Sequence, residues 1–184
     1  MKANKTQDTA KAKRPIPSQA QNLQQEQNPE VAEALQLVLA DTFVLYMKTY
    51  AVHWNYQGPK FFSVHKLTEE QYQQLAESID EIAERLRAMG RVAPISLETI
   101  LANSDLEEMR KRPAQDDQAL LDLISGHTLL SKRAHQAALT SGDASDLFSQ
   151  DMMIQRVGAH DKAIWMLRSF LQHGELKASK ESLS

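Results

Sequence analysis

His53, His65, Asp80 and Glu84 are the residues whose types and spacing can do chemistry. Imidazole nitrogens combined with carboxylate oxygens are the donors that suit Fe(II) or Zn(II). Asp80 and Glu84 stand four residues apart, so on a helix they share one face and can close on one cation. The chain has no cysteine, which excludes thiolate metal sites, iron–sulfur clusters, disulfides and cysteine nucleophiles together. Metal chemistry here must therefore use His, Asp and Glu. The competing reading is structural, with packed histidines and a solvated carboxylate face pairing with Arg85 or Arg87. The other histidines, His127, His135, His160 and His173, lack a partner pattern and are expected at surface or helix-end positions. His160 precedes Asp161 and is held in reserve as a supporting contact or extra ligand, should its helix border an interface.

The elements that must position these residues are helical. Asn28-Pro29 reads as an N-cap followed by proline at the first helical position, and Val31, Leu35, Val38, Leu39, Phe43 and Met47 recur at helical spacing. A first helix is predicted from about Pro29 to Tyr56, ended by Gly58-Pro59. A second runs from near Phe62 to Met89-Gly90, through Leu67, Leu75, Ile79, Ile82 and Leu86, antiparallel to the first. Residues 91–113 contain two prolines and a capping-box pattern, Ser104-x-x-Glu107, which places one short helix in a long crossover. A third long helix is predicted over about Gln115 to Leu139, stopped by Ser141-Gly142, and a fourth over about Ser145 to His173. No strand pattern of any length is present. Four helices with a long second-to-third connection describe an all-α, ferritin-like four-helix bundle, here over residues 28–173 with a short polar tail at 174–184.

The di-iron site usual inside such a bundle needs a Glu-x-x-His on each of two helices, and no Glu-x-x-His occurs in this sequence. Any metal site must be built differently. His65 and Asp80 are separated by ~22 Å along a straight helix at 1.5 Å rise per residue, whereas ligands of one ion lie ~2 Å from it. One subunit cannot assemble the set. His53 and His65 flank the Gly58-Pro59 turn and can meet across it, while a two-fold related copy can bring its own Asp80 and Glu84 to the same place. The expectation is a site shared between subunits, present twice per dimer.

The run His53-Trp54-Asn55-x-x-Gly58-x-x-Phe61-x-x-x-His65, then Tyr72 and Asp80-x-x-Ala83-Glu84-Arg85, resembles the Dps family of mini-ferritins, the DNA-binding proteins from starved cells. The similarity extends over the whole bundle, including Asp161-Lys162 and Trp165-Met166. The resemblance implies a ferroxidase centre at the two-fold interface, with His53 and His65 from one subunit and Asp80 and Glu84 from its neighbour. It implies a hollow homo-dodecameric shell, Fe(II) oxidation preferentially by hydrogen peroxide, and ferric mineral stored inside. Trp54 is similar to the family's tryptophan near the centre and is expected to act as an oxidisable neighbour, against the plain alternative of packing. The region around the turn between the last two long helices is implied to form acidic three-fold pores, with Asp143, Asp146 and Asp151 as candidates. The simplest reading of acids there is capping and helix-dipole complementation. Glu69 and Glu70, and with less support Glu77 and Glu81, are candidates for mineral nucleation. Zinc or manganese remain open as occupants, because His/carboxylate ligation does not select iron uniquely.

Charge separates a second function from the first. Lys2, Lys5, Lys11, Lys13 and Arg14 oppose Asp8 alone within residues 1–20, a local charge of +4 on a chain whose total is −3. Residues 1–27 therefore read as a basic arm with no apolar periodicity. Multiplied over a shell, the arm would bind phosphate backbone without base readout and lose affinity steeply in salt. The acidic remainder opposes this, and a DNA-binding, nucleoid-compacting shell stands as the alternative function. The longest apolar runs are far shorter than the ~20 residues needed to cross a bilayer, and the N-terminus is polar. The expected setting is cytoplasmic, with nucleoid association if the arm binds DNA.

Overall fold

The computed structural model describes residues 28–109 and 117–171. The arm at 1–27 with its five basic residues, the tail at 174–184, and His173 lie outside them. Five helices follow in order: α1 (Pro29–Asn55), α2 (Phe61–Ala88), α3 (Leu97–Ala102), α4 (Asp117–Asp143) and α5 (Leu147–Arg168). Among the described residues there is no strand, and no helix is long and apolar enough to cross a membrane. The all-α bundle read from the sequence is the observed fold.

α1 opens with Pro29 in the first turn, but Asn28 does not cap it through its side chain. Its backbone is left-handed at φ 50°, and its contribution is the carbonyl that accepts from Ala32 N–H at 3.0 Å. α1 ends where Tyr56 turns extended. Gly58, at φ 125°, then adopts a conformation that side chains other than hydrogen resist, and α2 starts three residues later. This tight reversal makes α1 and α2 a hairpin. Leu35, Leu45, Ile82, Leu86, Leu120, Leu123, Leu130, Met153 and Leu167 are fully buried and form one continuous core.

The boundaries depart from expectation in three places. The short crossover helix is α3, capped by Ser96, whose Oγ accepts from Thr99 N–H at 3.2 Å. It does not begin at Ser104-x-x-Glu107. Ser104 is instead drawn to buried Asp41, donating its hydroxyl to Oδ1 at 2.7 Å, so a tertiary partner overrides the local capping pattern. α4 runs through Ser141-Gly142 to Asp143. Ser141 Oγ bonds back to Ala137 O at 2.8 Å, and the Gln150 side chain lies against Gly142, its Nε2 2.3 Å from where a Cβ would stand, so a larger residue there would have to push that side chain aside. The left-handed residue that stops the helix is Ser145 at φ 58°, with Ser145 N–H to Gly142 O at 2.9 Å and Asp146 N–H to Ser141 O at 2.8 Å closing a Schellman turn. α5 accordingly starts at Leu147, not Ser145, and ends at Arg168.

Asp41, wholly buried in α1, organises the crossover. Its Oδ1 accepts from the Ser104 hydroxyl and from the backbone N–H groups of Asp105 at 2.8 Å and Leu106 at 3.3 Å. Its Oδ2 is ion-paired with Arg133 of α4, which also pairs with Asp105. One carboxylate thereby ties α1, the crossover and α4 together. Removing one member of a buried pair leaves the other charge uncompensated. Asp41→Ala is expected to lower stability by about 3 kcal/mol, read as the urea-unfolding midpoint by circular dichroism. Exposed Glu33→Ala, the control, should stay within ~0.5 kcal/mol of the parent.

Candidate metal centre

His53 sits in the last turn of α1 and His65 in the second turn of α2, on either side of the 56–60 reversal. Their imidazoles stack with ring centroids 3.8 Å apart and planes 18° from parallel. Each ring bonds to the other residue's backbone: His53 Nδ1 to His65 O at 3.0 Å, and His65 Nδ1 to His53 O at 3.1 Å. A carbonyl only accepts, so both Nδ1 atoms carry the proton and both Nε2 atoms keep their lone pairs. Thr68 supports the arrangement, because its hydroxyl donates to Val64 O at 2.8 Å and accepts from His53 Nδ1 at 3.2 Å. Holding the second ring nitrogen in this way is how metal-binding imidazoles are oriented and made more basic. Thr68 went unnoticed in the sequence, although its position three residues after His65 was the available signal.

Asp80 and Glu84 are exposed on α2, one turn apart and well removed from the imidazole pair along the helix. Glu84 lines a groove of about 510 Å³ with Glu81, Arg85, Phe148 and Asp151. Arg85 does not pair with Asp80 or Glu84. It donates from Nη2 to both oxygens of Asp146 at 2.8 Å and from Nε to Ser149 Oγ at 2.8 Å. Among the described residues, no group of three or more His, Asp or Glu side chains of one chain gathers around a common point.

An aromatic cluster adjoins the histidines. Tyr50 stacks on Tyr72 at 4.0 Å and lies 4.7 Å from Trp54, while Tyr72 meets the His53 ring edge-on at 5.1 Å. Tyr46 extends the row at 5.0 Å from Tyr50. Burial, followed by the hydrogen bond to Tyr50, raises the Tyr46 phenol above its ordinary value. Trp54 is largely solvent-exposed, so within one chain it is not a core residue. Helical spacing places residues 46, 50 and 54 on one face of α1, a signal that sequence reading had in reach.

The acidic candidates divide. Asp143 and Asp151 are exposed, and Asp151 accepts from Gln155 Nε2 at 2.7 Å. Asp146 is buried and fully engaged: it caps α5 by accepting from Ser149 N–H at 3.1 Å, while holding Arg85 bidentately. Within one chain its carboxylate is spent on capping and on Arg85. Burial pushes its carboxyl up, but Arg85 and Ser149 outweigh this and hold it below the usual value. Glu69 is ion-paired with Lys66 at 2.7 Å, which lowers its pKa, with a smaller effect from His53 and His65 nearby. Glu70, Glu77 and Glu81 are exposed.

Residues 32–177 match the ferritin-like domain. The DNA protection during starvation protein of Listeria monocytogenes is 31% identical over 149 residues, 80% of this chain and 96% of its own length. This chain belongs to the Dps family of ferritin-like proteins. Dps from Staphylococcus aureus superposes with a TM-score of 0.75 at 32% identity, covering 80% of this chain and 99% of that one. Dps from Vibrio cholerae, described as a member of a broad superfamily of ferritin-like diiron-carboxylate proteins, gives a TM-score of 0.75 at 29% identity over 79% of this chain and 91% of its own.

Against this Dps frame, His127 and His160 correct the surface or helix-end expectation. Both are buried in the bundle, Nδ1 to Nδ1 at 3.0 Å, so His160 is committed to His127 and does not support His53 or His65. Burial, then the partner imidazole, lowers His127 to about 3. Burial, then Arg156, lowers His160 to about 4, against an opposing pull from Asp161. An unfolded chain takes up these protons near 6.5 and the folded chain does not, so the pair costs stability as pH falls from about 6.5 toward 3 and contributes nothing above that window. Asp146, with its depressed pKa, is lost as a stabilising group only below the ordinary carboxylate range. Thermal midpoints are expected to be level above pH 7 and to fall between pH 6.5 and 4, and the double variant His127→Leu/His160→Leu should flatten that fall.

Proposed function

We propose that this protein oxidises Fe(II) at ferroxidase centres shared between subunits, preferentially with hydrogen peroxide, and stores ferric mineral within a twelve-subunit shell, protecting DNA from oxidative damage. The observation that carries this reading is the reciprocally locked His53/His65 pair, with both Nδ1 atoms occupied and both Nε2 atoms left as donors. Asp80 and Glu84, exposed on α2 but ~22 and ~28 Å beyond His65 along it, complete the site from a second copy. Supporting this is the groove of about 450 Å³ between α1 and the crossover, lined by apolar Phe43, Met47, Leu97 and Leu101. A two-fold partner covers this surface and delivers its carboxylates.

Iron is substrate and cargo here. Imidazoles and carboxylates bind Fe(II) moderately, and the carboxylate charge favours the ferric product. The His53 and His65 rings lie side by side, so both would offer their Nε2 atoms to iron at the same end of the hairpin. Two Fe(II) then supply both electrons to one peroxide, which with two protons yields two waters and no hydroxyl radical. Trp54, with Tyr50 and Tyr72 behind it, is placed to intercept a stray one-electron equivalent. Asp143 and Asp151 serve iron entry, Glu69 and Glu70 mineral nucleation, and zinc or manganese are alternative occupants of the centre. The setting is the cytoplasm, beside the nucleoid if the arm binds DNA.

Anaerobic Fe(II) loading of metal-free shells followed by stoichiometric peroxide tests the centre, with ferric absorbance and radical spin trapping as readouts. Fast oxidation without radical is expected, slowed at least 100-fold in assembled His53→Ala/Asp80→Ala shells, a loss of ~2.7 kcal/mol in barrier terms. Equal slow oxidation in both would overturn the reading. The basic residues of the arm favour a second reading, the DNA-binding shell. Deleting residues 1–20 is expected to abolish DNA retardation at low salt and leave iron oxidation unchanged, and retention of DNA by the deleted shell would sink the arm's role.

A further inference from the structure

The centre of the bundle holds a polar cluster that the iron chemistry does not use. Gln71 and Ser78 of α2, His127 of α4, and Arg156 and His160 of α5 line a cavity of about 20 Å³. Gln71, Ser78, His127 and His160 are each more than nine-tenths buried. Yet both amide atoms of Gln71, the Ser78 hydroxyl, both imidazole Nε2 atoms and Arg156 Nε have no hydrogen-bond partner among the protein's own groups. A buried polar group without a partner costs about 1–3 kcal/mol, and a cluster of such atoms around one cavity calls for an occupant that can hydrogen-bond to several of them.

The chemistry of the lining selects the occupant. The Nδ1-to-Nδ1 bond holds a single proton, so one imidazole donates and the other accepts. Their Nε2 atoms are therefore opposite in kind, one N–H and one lone pair. Gln71 adds a carbonyl and an amide, Ser78 a hydroxyl that works both ways, and Arg156 a charged donor. A cation would meet the Arg156 charge with no carboxylate in the lining, since nearby Asp161 is bonded to Ser131 Oγ at 2.7 Å. An anion would meet the Gln71 carbonyl and an imidazole lone pair. An apolar ligand would leave every group unmet. Water donates and accepts, and the ~10–15 Å³ one water needs is available here.

We propose that this cavity is a binding site for an internal water, which bridges α2 to α4 and α5 through Gln71, Ser78 and the His127/His160 pair. α2 and α5 come close at few points, and the water links them there. The site is independent of the proposed ferroxidase centre.

A crystal structure of the full assembled protein that resolves ordered solvent tests this directly. One water within hydrogen-bonding distance of an imidazole Nε2 and of Ser78 or Gln71 is expected. An empty cavity with the side chains paired to each other overturns the proposal, as does a metal recognised by anomalous scattering or a bound anion. Oxygen-17 magnetic relaxation dispersion, which counts long-lived internal waters, gives a second measure. Ser78→Val is expected to lose one such water per chain relative to the parent, and an unchanged count overturns the proposal. Gln71→Leu serves the same comparison if Ser78→Val does not assemble.

Discussion

The exchange of hydrogen bonds between His53 and His65 is the constraint around which the α1–α2 hairpin is arranged. Each imidazole closes onto the backbone of the opposite helix, so the two rings cannot move without opening the hairpin end. The left-handed Gly58 makes the reversal short enough for the last turn of α1 to face the opening turns of α2. A longer loop would separate the helices there and lose both bonds. The same contacts that shape the hairpin fix the tautomer of both rings, so folding and the freeing of both Nε2 lone pairs are one event.

The other long-range polar contacts in the bundle do comparable work at different seams. Asp41 binds the crossover to α1 and α4. Arg85 binds α2 to the N-terminus of α5 through Asp146 and Ser149, with its guanidinium 5.1 Å from the centre of the Phe148 ring. Lys60, at the start of α2, reaches Asp117 of α4 at 3.0 Å. Apolar burial makes the helices associate, but it is non-directional. These charged contacts fix which turn of one helix lies opposite which turn of another. α2 and α5 come close at few points, and it is between them that Arg85–Asp146 and the buried histidine cluster occur.

The bundle and the His53/His65 pair were legible in the sequence because they rest on local signals. Helical periodicity gave four long helices, and the spacing across Gly58-Pro59 brought the two histidines to one hairpin end. What sequence could not supply were tertiary competitors for the same side chains. Ser104 carries the pattern of a helix cap, but Asp41, 63 residues away in sequence, takes its hydroxyl. Gly142 resembles a helix stop until Gln150 is seen lying against it. Asp146 gives no sign in the sequence that Arg85, 61 positions before it, closes on both its oxygens. His127 and His160 looked like isolated histidines because their partners are each other, 33 positions apart.

The division of the proposed centre also follows from helix geometry. With His65 near one end of α2 and Asp80 and Glu84 beyond its middle, a rigid helix keeps the imidazoles and the carboxylates of one chain apart. Bending α2 to bring them together would break its intrahelical hydrogen bonds and its buried face at Leu67, Leu75 and Ile82. A second copy meets the same need without deforming anything, because a two-fold axis turns one separation along a helix into two complete sites. On this proposed division, a lone subunit would carry imidazoles without their carboxylates and hold iron weakly. In the proposed shell, this division would confine oxidation to the assembled state, where the ferric product would have a cavity to enter.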